Sequence, residues 1–338
     1  MTDRGKPRIG ITLGDPAGIG PEVAATALAD EEIRRLADFA VFGCPPDQWM
    51  KLAGRAPDFL SASVPLDRWD GSVAGVTLVH AAGADLTTIK PGGPSRASGE
   101  ASIRCILAAI DAAKRGRIDA ITTAPISKEA VRSAGYPWPG HTELLAEKFE
   151  TGDVAMMFAG GPFRVVLVTI HMSLVEAIRA ITVERIVRIC RLGSAAVRRW
   201  FGVEVPRIGV CGLNPHASEA GQFGHEEREI IEPAIEQAEE EGICAFGPLP
   251  PDTAFYQAAK GKFDLIVAMY HDQGLIPIKT VAFEDSVNVT LGLPTIRTSV
   301  DHGTAYDIAG RSQASPRSMK AAIRMAVDMI RHDRTAAR

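Results

Sequence analysis

Short apolar runs alternate with helical stretches along most of this chain. The run from Phe263 to Met269 is almost entirely apolar, which is typical of a parallel strand buried on both faces. Similar runs predict strands at 8–13, 39–42, 76–79 and 118–122. Strands that alternate with helices in this way indicate an α/β protein with a largely parallel sheet. Ligands of such sheets bind beyond the carboxyl ends of the strands, so functional residues are expected there.

The segments between the strands divide into helices and irregular stretches. Ala-rich or amphipathic patterns predict helices at 21–29, 98–115, 183–200 and 316–330. Residues 44–72 contain several prolines and charges and are predicted to be irregular. The tail 331–338 is expected to be frayed.

The composition is that of a soluble globular protein of about two domains. The chain has 338 residues, of which 46% are hydrophobic and 23% are charged. A net charge of −4 gives no indication of a nucleic-acid partner. No apolar run approaches the ~20 residues of a membrane span, and the N-terminus lacks the apolar region of a signal peptide. The five cysteines are widely spaced, which indicates reduced thiols. A cytoplasmic protein without a membrane partner is therefore expected.

Histidines follow three of the apolar runs. His171, His216 and His271 each come one to three residues after a run that reads as a strand. A single histidine there would more often cap a core strand. Neutral imidazole is, however, the commonest metal ligand in proteins, and three strand-end histidines predict a metal site.

A glycine-rich turn, Gly14 to Glu22, joins the first predicted strand to the first helix. Pro21 and Glu22 suit the start of a helix. Such a turn can bring the backbone close to a phosphate, but its spacing matches neither the dinucleotide fingerprint nor the Walker loop. A cofactor-binding turn and a purely structural turn both stay open. At the start of another predicted helix, His141 could contact an anion and Thr142 could cap the helix, and plain capping is the alternative.

Five segments together carry a resemblance to a known family. They are Gly14–Glu22, Gly140–Glu143, Gly212–His216, Tyr270–Gly274 and Arg297–Ala305. Over nearly its whole length the chain resembles the 4-hydroxythreonine-4-phosphate dehydrogenase family. Its first and last segments are also similar to the isocitrate and isopropylmalate dehydrogenase group, with an insertion in the first and with Thr304 and Tyr306 in the last.

The resemblance implies a fold, a reaction and a set of site residues. The fold is three-layer α/β/α with two domains and a cleft between them, as in isocitrate and isopropylmalate dehydrogenases, and the assembly is a homodimer. The reaction, a step of pyridoxine biosynthesis, is the NAD-dependent oxidation of a secondary alcohol followed by decarboxylation of the β-keto acid. The implied metal ligands are His171, His216 and His271, shared between two subunits. The implied substrate contacts are His141, Thr142, Lys279, Asn288 and Arg297.

Physical chemistry adds roles to these residues. A divalent ion bound to the substrate hydroxyl lowers its pKa and stabilises the enolate left by decarboxylation. Three imidazoles suit zinc best, and their number also allows magnesium, manganese or cobalt. Lys279 and Arg297 supply cations for a substrate with phosphate and carboxylate groups. The general base is expected to be Asp272 or Lys279.

Cofactor-binding residues are predicted only by analogy with the isocitrate dehydrogenase group. They lie in the glycine-rich turn and in a C-terminal loop: Gly14, Asp15, Gly18, Gly20, His302, Gly303 and Asp307. No acidic residue is placed as in the Rossmann fingerprint, so NAD rather than NADP follows from the family alone.

Other substrates and functions are compatible with the same sequence features. The segment Tyr306 to Gly310 is similar to the corresponding segment of a sugar-acid branch of the family. In that branch the substrate is D-threonate or D-erythronate 4-phosphate. A terephthalate cis-dihydrodiol is a further substrate in relatives of the family. A three-histidine hydrolase would act without nicotinamide, and a binding protein for phosphorylated acids would not turn over.

The predicted domains are discontinuous along the chain. A dinucleotide-side domain is expected to combine residues 1–128 with 281–338. A domain for metal, substrate and dimerisation is expected at 129–280.

Overall fold

The computed structural model describes residues 5–83 and 86–336. It is a mixed α/β protein, which confirms the predicted class. The strands are β1 Arg8–Thr12, β2 Asp38–Gly43, β3 Ala62–Pro65, β4 Val76–His80, β5 Ala120–Thr123, β6 Ala155–Gly160, β7 Phe163–Leu167, β8 Ile208–Cys211, β9 Ala245–Leu249, β10 Leu265–Ala268, β11 Val287–Leu291 and β12 Ile296–Val300.

The helices lie between these strands and after the last of them. They are α1 Gly20–Ala29, α2 Glu31–Leu36, α3 Pro46–Ala53, α4 Arg96–Lys114, α5 Lys128–Ser133, α6 His141–Lys148, α7 Leu174–Ala180, α8 Val183–Phe201, α9 Glu232–Glu240, α10 Pro251–Ala259, α11 His271–Ala282 and α12 Arg317–Ala336. Within the described residues, none of these helices is both long enough and apolar enough to cross a membrane.

The chain forms two compact units. Unit 1 consists of Met1–Asp153 and Leu293–Arg331, and unit 2 consists of Val154–Gly292 and His332–Arg338. The divisions fall later along the chain than the sequence analysis places them, because α5 and α6 belong with unit 1 and β11 pairs with β6 in unit 2. That these units are the functional domains stays a prediction.

Unit 1 contains a wholly parallel arrangement of strands in the order β3-β4-β2-β1-β5-β12. Helix α4 packs on β1, β2 and β5. It begins at a capping box in which Ser95 and Ser98 each accept a backbone N–H from the other. Helix α12 lies on β12, where the hydroxyl of Thr298 donates to the carbonyl of Ala322 at 3.0 Å. These contacts bury both β1 and β5 almost completely.

Unit 2 has strand order β11-β6-β7-β10-β8-β9 and helices on both faces of its sheet. Val165 and Leu167 point into a core shared with α10 and α11. Their neighbour Val166 points the other way, towards Gly193 of α8. Alternate side chains of β7 thus meet helices on opposite faces, which is the three-layer arrangement predicted.

The strand pairs in the two units are mostly parallel, as predicted, and unit 2 adds two antiparallel pairs, β11 with β6 and β6 with β7. A six-residue antiparallel strand buried on both faces is as apolar as a parallel one, so its sequence does not reveal its direction. The structure corrects two other predictions. The segment 44–72 contains α3 and β3. Helix α12 continues to Ala336, because its last turn is held by an ion pair between Arg199 and Asp333.

Candidate functional site

Two of the predicted metal ligands lie side by side in unit 2. Strands β7 and β10 are parallel neighbours, with Leu167 opposite Ala268, so the residues that follow them emerge at one edge of the sheet. His171 and His271 lie there with ring centroids 5.8 Å apart and ring planes at 44°. The structure thus brings these two of the three predicted histidines together.

The two rings open into a cavity of about 470 Å³. Its wall combines imidazole and carboxylate groups with apolar side chains: Ile170, His171, Met172, Leu174, Ala177, Tyr270, His271 and Asp272. A concave, mainly apolar wall with a few convergent polar groups is typical of a small-molecule site.

Asp272 contacts His271 directly. A carboxylate oxygen of Asp272 lies 2.7 Å from His271 Nδ1. Such a partner on Nδ1 leaves Nε2 as the ligating nitrogen and fixes the ring orientation. Asp272 is therefore placed to orient the His271 ring, and both the metal-ligand role of His271 and the general-base role of Asp272 stay predictions.

His216 is placed differently from the other two histidines. It lies in a turn after β8 whose backbone is left-handed from His216 to Ala220, with φ between 44° and 66°. Such a conformation costs non-glycine residues roughly 1–2 kcal/mol each. The His216 ring is 6.4 Å from that of Phe223. Within residues 5–83 and 86–336, no three His, Cys, Asp or Glu side chains are grouped closely enough to hold a metal ion.

The pair of rings fits part of a metal centre. Imidazole nitrogens lie about 2.0–2.1 Å from a zinc ion, and two rings bound to one ion have their centroids roughly 5–6 Å apart. The 5.8 Å between His171 and His271 is within this range. The three-ligand centre that includes His216 stays a prediction, and a centre shared between subunits would not need all its ligands from one chain.

A second group of predicted residues lies in unit 1. Arg297, on β12, is 3% exposed and donates to the hydroxyl of Thr123 at 2.7 Å. Burial lowers the pKa of Arg297 to about 10, while the Glu143 carboxylate opposes the shift, so the guanidinium is charged at neutral pH. It is a buried cation of the kind that binds an anionic ligand.

His141 lies near that cation and begins α6, followed by Thr142. Burial, and then the charge of Arg297, hold the pKa of His141 well below its usual value of 6.5, so its ring is neutral at pH 7. Its Nε2 is buried and has no hydrogen-bond partner among the described residues. Buried polar atoms are nearly always paired, so an unpaired one next to a cation points to a ligand.

Asn288 and Lys279, the remaining predicted substrate contacts, lie in unit 2. Asn288 is on β11, and its Oδ1 is also buried without a partner within the described part of the chain. Lys279 is on α11, with Nζ 5.2 Å from the centre of the Phe283 ring. Asn288, like His141, thus has a buried polar side-chain atom without a hydrogen-bond partner in the described residues.

The glycine-rich turn is packed against the protein itself. A Cβ atom on Gly18 would lie 2.8 Å from the carbonyl of Thr304, and one on Gly20 would overlap the carbonyl of Leu13. Gly14 has φ +70° and meets the carbonyl of Pro125. These contacts account for all three glycines without a bound phosphate, which favours the structural alternative for the turn. Their cofactor role stays a prediction.

Asp15, in the same turn, is fully buried and fully bonded. One carboxylate oxygen accepts from the backbone N–H of Ala17 at 2.8 Å. The other accepts from the hydroxyls of Tyr306 at 2.8 Å and Ser98 at 3.3 Å. Burial raises the pKa of Asp15 despite these three donors. The carboxylate therefore fastens the turn to the loop at Tyr306.

The C-terminal loop keeps outward groups that could contact a cofactor. Gly303 and Asp307 are exposed, and a Cβ on Gly303 would meet nothing within 4 Å. His302 places Nδ1 3.0 Å from the carbonyl of Gly303, and its Nε2 is buried without a partner in the described residues. Among the predicted cofactor residues, those of this loop are the ones that still offer exposed or unpaired groups to a cofactor.

The structure brings to these sites several polar residues that were not predicted from the sequence. Glu227 and Gln273 bind the backbone beside the predicted metal ligands, and Thr123 binds Arg297. Gln273 could have been noticed because it stands two residues after His271. Glu227 gave no signal, because its partners are backbone groups 13 and 14 residues away.

The chain is similar to proteins of one family. A family model described as pyridoxal phosphate biosynthetic protein PdxA matches residues 52–326. A 4-hydroxythreonine-4-phosphate dehydrogenase of Geobacter metallireducens is 48% identical over 96% of each chain. A D-threonate 4-phosphate dehydrogenase of Cupriavidus necator is 44% identical over 96% of this chain and 97% of the relative. The crystal structure of a 4-hydroxythreonine-4-phosphate dehydrogenase from Klebsiella pneumoniae has a TM-score of 0.85 at 38% identity, with 96% of this chain and 100% of that chain covered.

Proposed function

Because the chain belongs to the PdxA family of pyridoxal phosphate biosynthetic proteins, we propose that it oxidises a secondary alcohol in a phosphorylated four-carbon hydroxy acid. The protein is an oxidoreductase of the dehydrogenase type. The observation that carries the proposal is 48% identity to a 4-hydroxythreonine-4-phosphate dehydrogenase over 96% of both chains. The buried guanidinium of Arg297 and the unpaired Nε2 of His141, both suited to an anionic ligand, support the proposal.

Arg297 and His141 form the anion-binding part of the proposed site. The buried guanidinium of Arg297 suits a bidentate grip on a phosphate or a carboxylate. The neutral ring of His141 presents an unpaired Nε2 that can donate to or accept from the same ligand. Lys279 would add a second cation and Asn288 a buried carbonyl oxygen, as the two further substrate contacts that the resemblance implies.

The oxidation removes a proton and a hydride from one carbinol group. We assign the proton to Asp272 or Lys279, the two candidates for general base. NAD or NADP would accept the hydride at the nicotinamide ring. The product is a β-keto acid, which then loses carbon dioxide. His141 and Arg297 would bind the anionic end of the substrate and so restrict its orientation.

The proposed metal centre uses His171 and His271, with His216 as the third ligand. A divalent ion there, zinc, magnesium or cobalt, would lower the pKa of the substrate hydroxyl and stabilise negative charge on the oxygen. Asp272 would orient His271 through Nδ1. A partner subunit that contributes part of this centre would explain why the described residues of one chain do not group three ligands.

A homodimer is proposed on this basis. Helix α7, beside the cavity, exposes Leu174 by 55%, Val175 by 59% and Ile178 by 38%. A row of exposed aliphatic side chains beside a binding cavity is typical of a surface that another subunit covers. We also propose a cytoplasmic location, since pyridoxal phosphate synthesis is a metabolic function of soluble enzymes.

A second substrate is favoured by the relatives. The chain is 44% identical to a D-threonate 4-phosphate dehydrogenase, close to its identity with the 4-hydroxythreonine-4-phosphate enzymes. The two substrates share the phosphate and the oxidised hydroxyl, and they differ in carrying an amine or a hydroxyl beside the carboxylate. Both fit the anion-binding groups described here.

A substrate panel tests the proposal. Purified protein is supplied with NAD or NADP, with Zn²⁺, Mg²⁺ or Co²⁺, and with 4-hydroxythreonine 4-phosphate, D-threonate 4-phosphate, D-erythronate 4-phosphate or the terephthalate dihydrodiol. We expect reduced nicotinamide and carbon dioxide in equal amounts with a phosphorylated acid. Chelation should abolish the signal, and added ion should restore it. Hydrolysis without nicotinamide, or binding of the phosphorylated acids without turnover, would overturn the proposal.

A further inference from the structure

Glu227 is a buried carboxylate that binds the chain just before His216. It is 1% exposed. Its Oε1 accepts the backbone N–H groups of Leu213 at 2.8 Å and Asn214 at 2.7 Å. Its Oε2 accepts the Asn214 side-chain amide at 2.8 Å. Three donors on one buried carboxylate fix the backbone at the point where the His216 turn begins.

The turn next to Glu227 has a backbone conformation that is unfavourable without supporting contacts. Five successive non-glycine residues, 216–220, have left-handed backbone conformations. Conformations of this kind persist only where surrounding contacts enforce them, and they cluster at functional sites. The turn folds back on Gly212, where a Cβ would lie 3.1 Å from both Ala217 and the Glu227 carboxylate. Glu227 and the turn are therefore packed as one unit.

Gln273 joins this turn to the segment that carries His271. Its Oε1 accepts the backbone N–H of Met269 at 2.7 Å, and its Nε2 donates to the carbonyl of Gly212 at 2.8 Å. Gln273 is 8% exposed, so both bonds are shielded from water. One side chain thus sets the relative position of the ends of β10 and β8, from which two of the predicted ligands extend.

We propose that Glu227 and Gln273 are positioning residues for the divalent metal centre, which they serve by holding the His216 and His271 segments in the binding conformation. The inference rests on the proposed function, because it takes those histidines as metal ligands. Both side chains act through hydrogen bonds to the backbone that precedes the histidines. Each satisfies backbone groups two to four residues before a histidine, so its loss would shift the ligand while the strands themselves remain.

Metal affinity tests the role of Glu227. Metal-free protein is titrated with Co²⁺ and with Zn²⁺ by calorimetry, and the Co²⁺ absorption spectrum reports the ligand set. We expect Glu227→Ala to weaken binding by about 10- to 100-fold, as loss of an outer-shell partner does. Glu227→Gln, which keeps one oxygen for the two backbone donors, should lose less. Glu229→Ala is the matched control, because Glu229 is an exposed glutamate in the same segment and its loss should change affinity less than twofold.

The same titration applies to Gln273. Gln273→Leu preserves size and removes both hydrogen bonds, and we expect a similar loss of affinity. Gln237→Leu, at an exposed position on α9, is its control. Hydrogen exchange of peptides that cover 212–221, measured without metal, should become faster in Glu227→Gln and Gln273→Leu while exchange in β1 and β5 stays unchanged.

The outcomes separate the inference from the proposed function. If wild-type protein binds neither ion, the metal centre itself is wrong, and the inference is overturned with it. If wild-type protein binds an ion and both Glu227→Gln and Gln273→Leu bind it equally well, only the positioning role is overturned. Weaker binding by these variants, with unchanged control variants and unchanged circular dichroism, supports the inference.

Discussion

Asp15 is a buried carboxylate whose hydrogen-bonding capacity is used within the protein. Its partners are a backbone N–H and two hydroxyls, of Tyr306 and Ser98. Burial outweighs these donors and raises its pKa, so ionised Asp15 costs folding free energy at neutral pH. The Tyr306 hydroxyl offsets part of this cost, because it donates to the charged oxygen.

Tyr306→Phe should therefore destabilise the protein in a pH-dependent manner. Without the hydroxyl, the folded-state pKa of Asp15 rises further above its unfolded value near 3.8. We expect a loss of roughly 1.5–3 kcal/mol in the free energy of unfolding at pH 7, as for a hydrogen bond to a charged group. The loss should shrink as pH falls through the folded-state pKa, because protonated Asp15 needs the donor less. Urea denaturation at pH 7 and at mildly acidic pH measures it.

Tyr256→Phe is the control for that experiment. Tyr256 is 66% exposed, so removal of its hydroxyl should change the free energy of unfolding by less than about 0.5 kcal/mol at either pH. An equal loss for Tyr306→Phe at both pH values would contradict the assigned bond to an ionised Asp15.

At the residue scale, the sequence indicated which side chains could belong to a site better than it indicated their hydrogen-bond partners. His171 and His271 could be paired because both follow strands that end at one sheet edge. The bond between Asp15 and Tyr306 joins residues 291 positions apart, and no local pattern in the sequence signals it. The glycines of the first turn were ambiguous for the same reason, since a glycine needed for packing and one needed for phosphate contact look alike.

Helix α11 carries His271, Asp272 and Lys279, and it lies on the sheet of unit 2 at a glycine. A Cβ on Gly274 would be 2.5 Å from a Leu167 methyl group and 3.0 Å from one of Val165. Both neighbours are buried, at 2% and 0% exposure, so they have little room to move. The absence of a side chain at this position sets how closely the helix approaches β7.

Gly274→Ala should push α11 away from the sheet. Overpacking of this kind costs roughly 1–3 kcal/mol, which exceeds the ~1 kcal/mol that alanine gains in a helix. We expect a lower midpoint in thermal denaturation and weaker Co²⁺ binding, since His271 moves with the helix. Gly152→Ala serves as the control, because a Cβ at Gly152 would meet nothing within 4 Å. A Gly274→Ala variant with wild-type stability would mean that Leu167 and Val165 repack freely.

At the element scale, predicted helices and strands were right where periodicity and length agreed. Helix α8 starts at its predicted residue and ends at Phe201, one residue late. The segment 44–72 was missed because α3 is only eight residues long, and proline, which suits its first turn, also suits a loop. Strands β6 and β11 gave no sign of direction, because hydrogen bonding to a neighbour far along the chain decides whether a buried strand is antiparallel.

For the whole molecule, the α/β class could be predicted from the alternation of strands and helices along the sequence. The boundaries between the two units could not be predicted in this way. They depend on which elements α5, α6 and β11 pack against, and those contacts are long-range. The proposed metal centre would depend on contacts at a still larger scale. His171 and His271 meet in one chain, yet the described residues do not group a third ligand with them. A second copy of the chain, as in the proposed homodimer, would be the source of the third ligand.

Mixed dimers test whether the centre is shared between subunits. His171→Ala and His216→Ala proteins, each inactive alone, are unfolded together, refolded and assayed. If His216 reaches the centre of the partner, half of the dimers are mixed and one of their two sites is intact, so about a quarter of wild-type activity should return. The pair His171→Ala with His271→Ala should regain none, because those rings serve the same site from the same chain. No recovery in any pair would show that each chain supplies all of its own ligands. The left-handed turn at His216 would then have to rearrange when the ion binds.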